Sequence, residues 1–428
     1  MELKKNHLGS LKAIGLINFI FLFALLILTP AVVAQEVSGV DFKEYKGLIV
    51  DAKTKDVLEF ATISVTNSNI STISNMDGAF SLKVPIDLIE GNVVISYLGY
   101  NSRTIPLKSF TEGSMNINME ESFEKLPDVN LVEANPIQVI RKVMQNKKAN
   151  SYDKPLIVRA FYRESIKKRK TYASLSEAVV EVYKQAGGAA GTDYIKLEKV
   201  RKSTDYRKID TLVIKLQGGP YNNLNMDFIR NKDLFFSSDM FEIYQFSFDK
   251  MITMDNRNVY VIDFIQKATI VEPFYKGKLY IDVESYALVK SVFSLHLENL
   301  NTAKKFFVKK KPAKADVIPI DTKYIVDYRE TNGKWHFNYS RIELSFKIKW
   351  DKKLFNSIYN ITIEKAVTDW SDNVQGISIK NRDRMRKNVI LTDEATGFSD
   401  PEFWGENNVI EPDKSIQNAI KKIQKSNE

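Results

Sequence analysis

The stretch Ser74-Asn75-Met76-Asp77-Gly78-Ala79-Phe80-Ser81-Leu82-Lys83-Val84-Pro85 puts an amide, a carboxylate and a glycine side by side, the ingredients of a cation-binding loop. A calcium loop of the helix-loop-helix kind needs oxygen ligands at its first and twelfth positions, with a bidentate glutamate at the twelfth. Aligned on Gly78, those positions fall on Ile73 and Val84, which cannot ligate. The stretch is therefore expected to be a structural turn. Asp77 would accept from nearby backbone N–H groups and Gly78 would adopt φ > 0, where a Cβ clashes. Gly99, in Leu98-Gly99-Tyr100, is assigned a similar turn role.

Other chemistries fail on counting. The histidines are His7, His296 and His336, and there is no cysteine. Catalytic zinc normally takes three protein ligands, with spacings such as H-x-x-E. The third residue after His296 is Asn299, and after His336 it is Tyr339. Both histidines are expected to be partly buried structural residues. No G-x-S-x-G elbow marks a nucleophilic serine. The pieces Gly187-Gly188-Ala189-Ala190-Gly191 and Gly218-Gly219-Pro220 lack the lysine and helix context of a phosphate loop. Hydrolysis by two carboxylates distant in sequence stays open among 53 acidic residues, and no local pattern selects a pair. No catalytic, cofactor-binding or metal-binding residue is assigned.

The start of the chain concerns destination. Lys4, Lys5 and Lys12 precede and flank an apolar run over Ala13 to Leu28, and Val32-Val33-Ala34 supplies small residues for cleavage before Gln35. Residues 1–34 are read as a signal peptide, with no transmembrane span once it is removed. Without cysteine there is neither a lipoprotein anchor nor a disulfide, so the fold must rest on its cores. The formal charge is +9, and removing a leader of net +2 leaves +7. The lysines are scattered except for Lys167-Lys168-Arg169-Lys170, expected at a solvated hairpin tip. A nucleic-acid partner, which wants a basic face with stacking aromatics, is not expected.

The elements that would carry any site are mainly β. From Tyr45 to Met119, Leu48/Val50, Ile63/Val65, Phe80/Leu82/Val84 and Met115/Ile117/Met119 alternate with polar or small residues, and turn clusters separate the runs. Period-two alternation buries one strand face, and short strands at this spacing build a β-sandwich. Four blocks, Lys46-Gly47-Leu48-Ile49-Val50-Asp51, Ala61-Thr62-Ile63-Ser64-Val65, Asn75 to Leu82 and Ile95-Ser96-Tyr97-Leu98-Gly99-Tyr100, resemble the carboxypeptidase regulatory-like domain over residues 45–119. The resemblance implies a seven-stranded, transthyretin-like β-sandwich, common in exported Bacteroidetes proteins and in the N-terminal extensions of TonB-dependent receptors. Ser74-Asn75 stands where many members carry a T-D pair. A fold is not an activity, and the module accompanies peptidases without performing their chemistry.

Residues 120–135 are read as a linker. Asn135 and Pro136 then suit the start of a helix to about Lys148, with Ile137, Ile140, Val143 and Met144 at helical spacing. From there to Trp370 β signals dominate, clearest at Tyr194–Val200, Leu212–Leu216, Asn258–Ile265, Gly277–Val283, Leu288–Leu297, Thr322–Arg329 and Trp335–Lys349. Asn332-Gly333 is a hairpin turn signal. The meander from Val259 to Lys290 is similar to the half-barrel of LolA-type lipid carriers, which implies a curved antiparallel sheet with a helix laid on it. The helix at Asn135, Gly218-Gly219-Pro220, the meander and Phe403-Trp404-Gly405-Glu406-Asn407-Asn408 together resemble a group of exported Bacteroidetes proteins, and that resemblance brings no activity.

The tail, residues 371–428, ends in an amphipathic helix with Ile416, Ala419, Ile420 and Ile423 on one face. That ending argues against an outer-membrane barrel, whose chains commonly close on an aromatic strand. Phe403 and Trp404 either fill a slot on the domain over residues 136–370 or rim a ligand groove. The reading is an exported, non-enzymatic envelope protein, periplasmic or outer-membrane associated. Its sandwich serves as a spacer or interaction module for an envelope partner, and its second domain takes an apolar or glycan ligand. The alternatives are the two-carboxylate hydrolase and an accessory part of an outer-membrane transporter.

Overall fold

A computed structural model describes residues 41–111, 113–122, 135–186, 193–204, 219–230, 239–254, 257–298, 302–304, 315–351, 356–395 and 402–427. The leader, Gly187–Gly191, Leu212–Leu216 and most of the linker lie outside the described residues, as does the side chain of Ile423.

The alternating runs form strands as their period requires. Seven of them, β1 (Phe42–Asp51), β2 (Thr62–Val65), β3 (Ser71–Ile73), β4 (Ala79–Pro85), β5 (Asn92–Ser96), β6 (Arg103–Pro106) and β7 (Ser114–Met119), make two sheets, ordered β4-β1-β7 and β3-β2-β5-β6. Ile49, Ile63, Phe80, Leu82, Ile95 and Ile117 fill the space between them, so the expected sandwich is present. Strand β1 runs parallel to β7 and antiparallel to β4.

Helix α1 (Pro136–Asn150) starts as expected: the Asn135 side chain accepts from Ile137 N at 2.9 Å, and Pro136 occupies the first turn. Ten antiparallel strands follow: β8 (Leu156–Lys168), β9 (Thr171–Lys184), β10 (Tyr194–Thr204), β11 (Tyr244–Met254), β12 (Arg257–Gln266), β13 (Tyr275–Asp282), β14 (Leu288–Leu295), β15 (Ala315–Thr331), β16 (Lys334–Trp350) and β17 (Ser357–Asp372). Their order, β10-β9-β8-β17-β16-β15-β14-β13-β12-β11, leaves β10 and β11 as edges, so the sheet is open and not a barrel. Arg169 and Lys170 form the β8–β9 hairpin tip, where the basic cluster was expected, and Asn332-Gly333, both at positive φ, turn β15 into β16. Among the described residues, no helix is long and apolar enough to cross a membrane.

The two faces of this sheet differ. On the helix side Val139, Ile140 and Val143 of α1 join Tyr162, Val180, Ile262, Leu279, Val326 and Phe337 in the largest core. The other face carries the sandwich. Strand β3 is buried throughout because it packs on β17. Asn69 Nδ2 donates to Trp370 O at 2.8 Å, Ser71 Oγ to Val367 O at 3.1 Å, and Asn338 Nδ2 to Thr62 Oγ1 at 2.9 Å. Phe60 stacks on Tyr339 with ring centroids 5.4 Å apart. A sandwich on a free tether would leave such donors to water; here they bond to the face of the ten-stranded sheet. The tail reinforces the joint: the Asn408 amide accepts from Lys83 N at 2.7 Å and donates to Lys83 O at 2.9 Å, replacing a strand partner. The closing helix, α2 (Gly219–Leu224) and two short turns of helix, α3 (Met240–Ile243) and α4 (Leu391–Glu394), preceding it, is α5 (Lys414–Asn427). Its Ile416, Ala419 and Ile420 pack on Tyr172 and Leu175.

Candidate functional site

Antiparallel register places directly paired residues on one face of a sheet. Following one such row gives Ser247, Asp263, Lys278, Val292, Ile325, Arg341, Glu364, Arg163, Glu177 and Arg201, one residue from each of the ten strands. The row lies on the sandwich side. Its β8–β10 and β16–β17 half is buried under the sandwich and tail, and its β11–β14 half is open.

In the buried half the charges alternate in sign and interlock. Glu177 accepts from Arg163 Nε and from Arg201 Nε, each at 2.7 Å. Glu364 accepts from Arg341 Nη1 at 2.7 Å and from the Tyr339 hydroxyl at 2.8 Å, with Arg163 Nη1 3.7 Å away. Burial alone would raise both carboxyls, but the flanking guanidinium groups outweigh it and hold them below the ordinary range. Aromatic rings close the network: Phe60 lies 4.9 Å from Arg341 and Trp404 4.7 Å from Arg201.

That places Trp404. It is 4% exposed and sits edge-on to Phe161, with Phe403 packed beside it, so the pair fills a slot and does not rim a groove. The physical reason is the row itself, since an exposed Arg201–Glu177 pair would be weakened by water. The opening turn also differs from expectation in one respect. Gly78 has φ +74° and Gly99 φ +86°, as turn glycines should. The capping carboxamide, however, is that of Asn75, which accepts from Asp77 N and Ala79 N, both at 2.9 Å. Asp77 points away and accepts from Lys414 N at 2.8 Å, at the start of α5. An Asx side chain can bond the backbone two residues on, as Asn75 does here, while Asp77 is taken by the Lys414 N–H.

The open half forms a groove of about 1040 Å³ across β11–β15. Gln245, Ile265, Lys276, Ser294 and Lys323 line one row; Ser247, Asp263, Lys278 and Val292 line the next, with Tyr280 beyond. Gly277 sits in the floor, where a Cβ would overlap the Val292 carbonyl; its absence lets β13 and β14 close up. Lys278 is shared by Asp249 at 2.7 Å and Asp263 at 2.9 Å. Two carboxylates on one ammonium have the rough proximity that a retaining glycosidase uses. Such an enzyme needs one of them protonated, and the hydrogen bond from Lys278 holds the Asp249 carboxyl below its ordinary range. Both carboxylates are committed to the lysine.

Groups tuned toward neutral pH lie elsewhere, in the helix-side core. Burial pushes the Glu164 carboxyl up to about 7, against a 2.9 Å hydrogen bond from the Tyr162 hydroxyl. Burial likewise pulls the Lys365 ammonium down to about 7, helped by Lys184 and opposed by Asp227 and Asp193. Lys365 pairs in register with Tyr162, donates to Asn223 O at 3.4 Å and lies 4.2 Å from the Phe337 ring. Shifted groups of this kind often mark active sites, but acid–base work also needs room for a substrate. The cavity beside α1, bounded by Val143, Tyr328 and Trp335, is about 10 Å³, at the lower limit for one water. His336 belongs to this packed region: it stacks on Trp370 at 4.6 Å, and burial first of all pulls its imidazole down to about 4. His296 is half-buried after β14 and pairs with Glu298 at 2.7 Å.

The raised Glu164 carboxyl has a measurable signature. The folded chain keeps a proton that the unfolded chain releases between about 4.5 and about 7. The group's contribution is thus fully present below 4.5 and lost as pH rises through 7. Glu164→Gln, fixed in the neutral form, is expected to exceed the parent by roughly 3 kcal/mol at pH 8 and to match it near pH 4 in urea unfolding.

In the sequence Asp263, Lys276 and Lys278 fall inside the meander from Val259 to Lys290 as strand pattern, and nothing local singles out Asp249 or Lys323. The K-G-K spacing of Lys276 and Lys278 puts both on one strand face, but which strands flank them is a matter of register.

Residues 45–131 match the family model described as CarboxypepD_reg-like domain, in agreement with the sandwich read from its four blocks. A search of the curated proteins finds no match. Among solved structures, a DUF1329 family protein from Desulfovibrio piger ATCC 29098 is similar at 11% identity, with a TM-score of 0.24, over 57% of this chain and 95% of that one. MucB, solved in complex with MucA(peri), is similar at 10% identity, with a TM-score of 0.17, over 56% of this chain and 99% of that one.

Proposed function

We propose that this chain is a non-catalytic binding protein of the cell envelope, and that the groove across β11–β15 holds a glycan. The observation that carries the reading is the contrast between the two faces of the sheet. The helix side, where an apolar ligand would lie beneath α1, is filled by side chains down to a cavity of about 10 Å³. The sandwich side opens a groove of about 1040 Å³ whose floor mixes hydrogen-bonding groups with Tyr280, Ile265 and Val292. Ligand sites of this size commonly combine a few placed polar groups with apolar and aromatic surface. A saccharide presents both, through its hydroxyls and its C–H faces. Export rests on the leader sequence, and the sandwich acts as a fixed buttress that covers the charged half of the row.

Oligosaccharide binding by the purified protein, followed by calorimetry, tests this. Tyr280→Ala is expected to weaken binding at least about tenfold, as removal of a central aromatic does. Binding unaffected by Tyr280→Ala, or turnover of the bound sugar, would sink the reading.

A further inference from the structure

Resting on the glycan reading, we infer that the groove's ligand is an acidic saccharide, whose anionic groups lie over Ser294 between Lys276 and Lys323. Lys276 pairs with Ser294 across β13 and β14. The pairing of Phe293 with Tyr324, continued by one residue, brings Lys323 beside Ser294 from β15, and Leu295 N donating to Thr322 Oγ1 at 2.8 Å holds the strands together there. Two strand spacings separate the lysines by about 10 Å at the backbone, a gap that flexible ammonium groups can close on one anion.

The charge pattern around them is what selects the ligand. Both lysines are exposed, and among the described residues neither has an ion-pair or hydrogen-bond partner. Two neighbouring carboxylates have other partners. Glu343, opposite Lys323 in register, accepts from Arg341 at 2.7 Å. Glu298 hydrogen-bonds His296 at 2.7 Å, is 86% exposed and acts on Lys276 only through space, without a direct ion pair. Asp263 and Asp249 are both held by Lys278, so the third groove lysine is already satisfied. The groove is therefore two-sided: one row offers two free cations around a hydroxyl, and the next is internally neutralised. A neutral sugar leaves those cations idle. A carboxylated one makes charge-assisted hydrogen bonds to them while its ring lies against Tyr280 and Val292.

Oligogalacturonate and its methyl ester share a backbone and differ in charge, so they separate this inference from the glycan reading. The acid form is expected to bind at least about tenfold more tightly than the ester, and to weaken as salt rises. Lys276→Gln combined with Lys323→Gln should abolish that preference, whereas Lys53→Gln combined with Lys108→Gln, which removes equal charge elsewhere, should preserve it. Equal binding of acid and ester overturns the acidic ligand and leaves the glycan reading standing. Binding of neither overturns both. Poly-glutamate binding as tightly as the acid sugar overturns the inference in favour of an acidic peptide.

Discussion

Glu177→Ala is expected to destabilise the protein by about 3–5 kcal/mol, because it strands two guanidinium groups in a dry interface. Arg163 and Arg201 each donate to that carboxylate at 2.7 Å and are themselves nearly inaccessible. Removing one member of a buried ionic set leaves its partners with their full desolvation penalty. Chemical denaturation should show a lowered midpoint, and proteolysis should reach the tail first, since Arg163 Nη2 also anchors Ile410 O at 2.7 Å. A chain changed together to Met at Arg163, Leu at Glu177 and Met at Arg201 should recover much of the loss, as buried ion sets often tolerate apolar replacement of similar volume. An alanine variant as stable as the parent would refute the account. Acid gives a second check. Glu177 and Glu364 are held below the ordinary carboxylate range, so they contribute stability above the unfolded-state value near 4.5 that is lost as pH falls through their folded-state range. The parent should weaken in that acid window, and the all-apolar chain should weaken less.

Lys365→Met is expected to act in the opposite direction. Its ammonium ionises near 7 in the folded chain against 10.5 when free. Between those values the unfolded chain binds a proton that the folded chain does not, so stability rises with pH across the window, and the full deficit is felt below 7. Methionine fills a similar volume and has no proton to place. The variant should gain roughly 4–5 kcal/mol at pH 6, with the gain shrinking toward pH 10. Urea unfolding at pH 6, 8.5 and 10 measures the slope. A variant less stable than the parent at pH 6 would show that the Asn223 carbonyl and the Phe337 ring more than compensate the buried charge. Asp227 keeps Lys184 at 2.9 Å in either chain, so the change does not strand it.

These predictions mark where local signals stop. The turn at Gly78, the helix start at Asn135 and the hairpin at Asn332-Gly333 were legible because each depends on residues within four positions. For Trp404 a slot was one of two readings, and what builds the slot was not legible. Its slot is made by Phe161 on β8 and Arg201 on β10, and nothing near residue 404 announces them. The exchange of roles between Asn75 and Asp77 was missed for a related reason: both side chains could cap the turn, and the decision came from Lys414, which gives Asp77 another donor.

The sequence by itself determined the class of the molecule. Period-two alternation selects strands, the four blocks select the sandwich, and helical spacing with Asn135-Pro136 selects α1, all through short-range sterics and burial of one face. Only the tertiary structure decided what each face of the large sheet is for. Arg163, Glu177, Lys278 and Lys323 look alike in the sequence, as charged residues in strand-like runs. Register across ten strands puts the first two beneath the sandwich, where they must pair, and leaves the other two in an open groove, where one is paired and one is free. A one-residue slip would move every one of these side chains to the opposite face, and register is fixed by contacts between strands up to hundreds of positions apart in the chain.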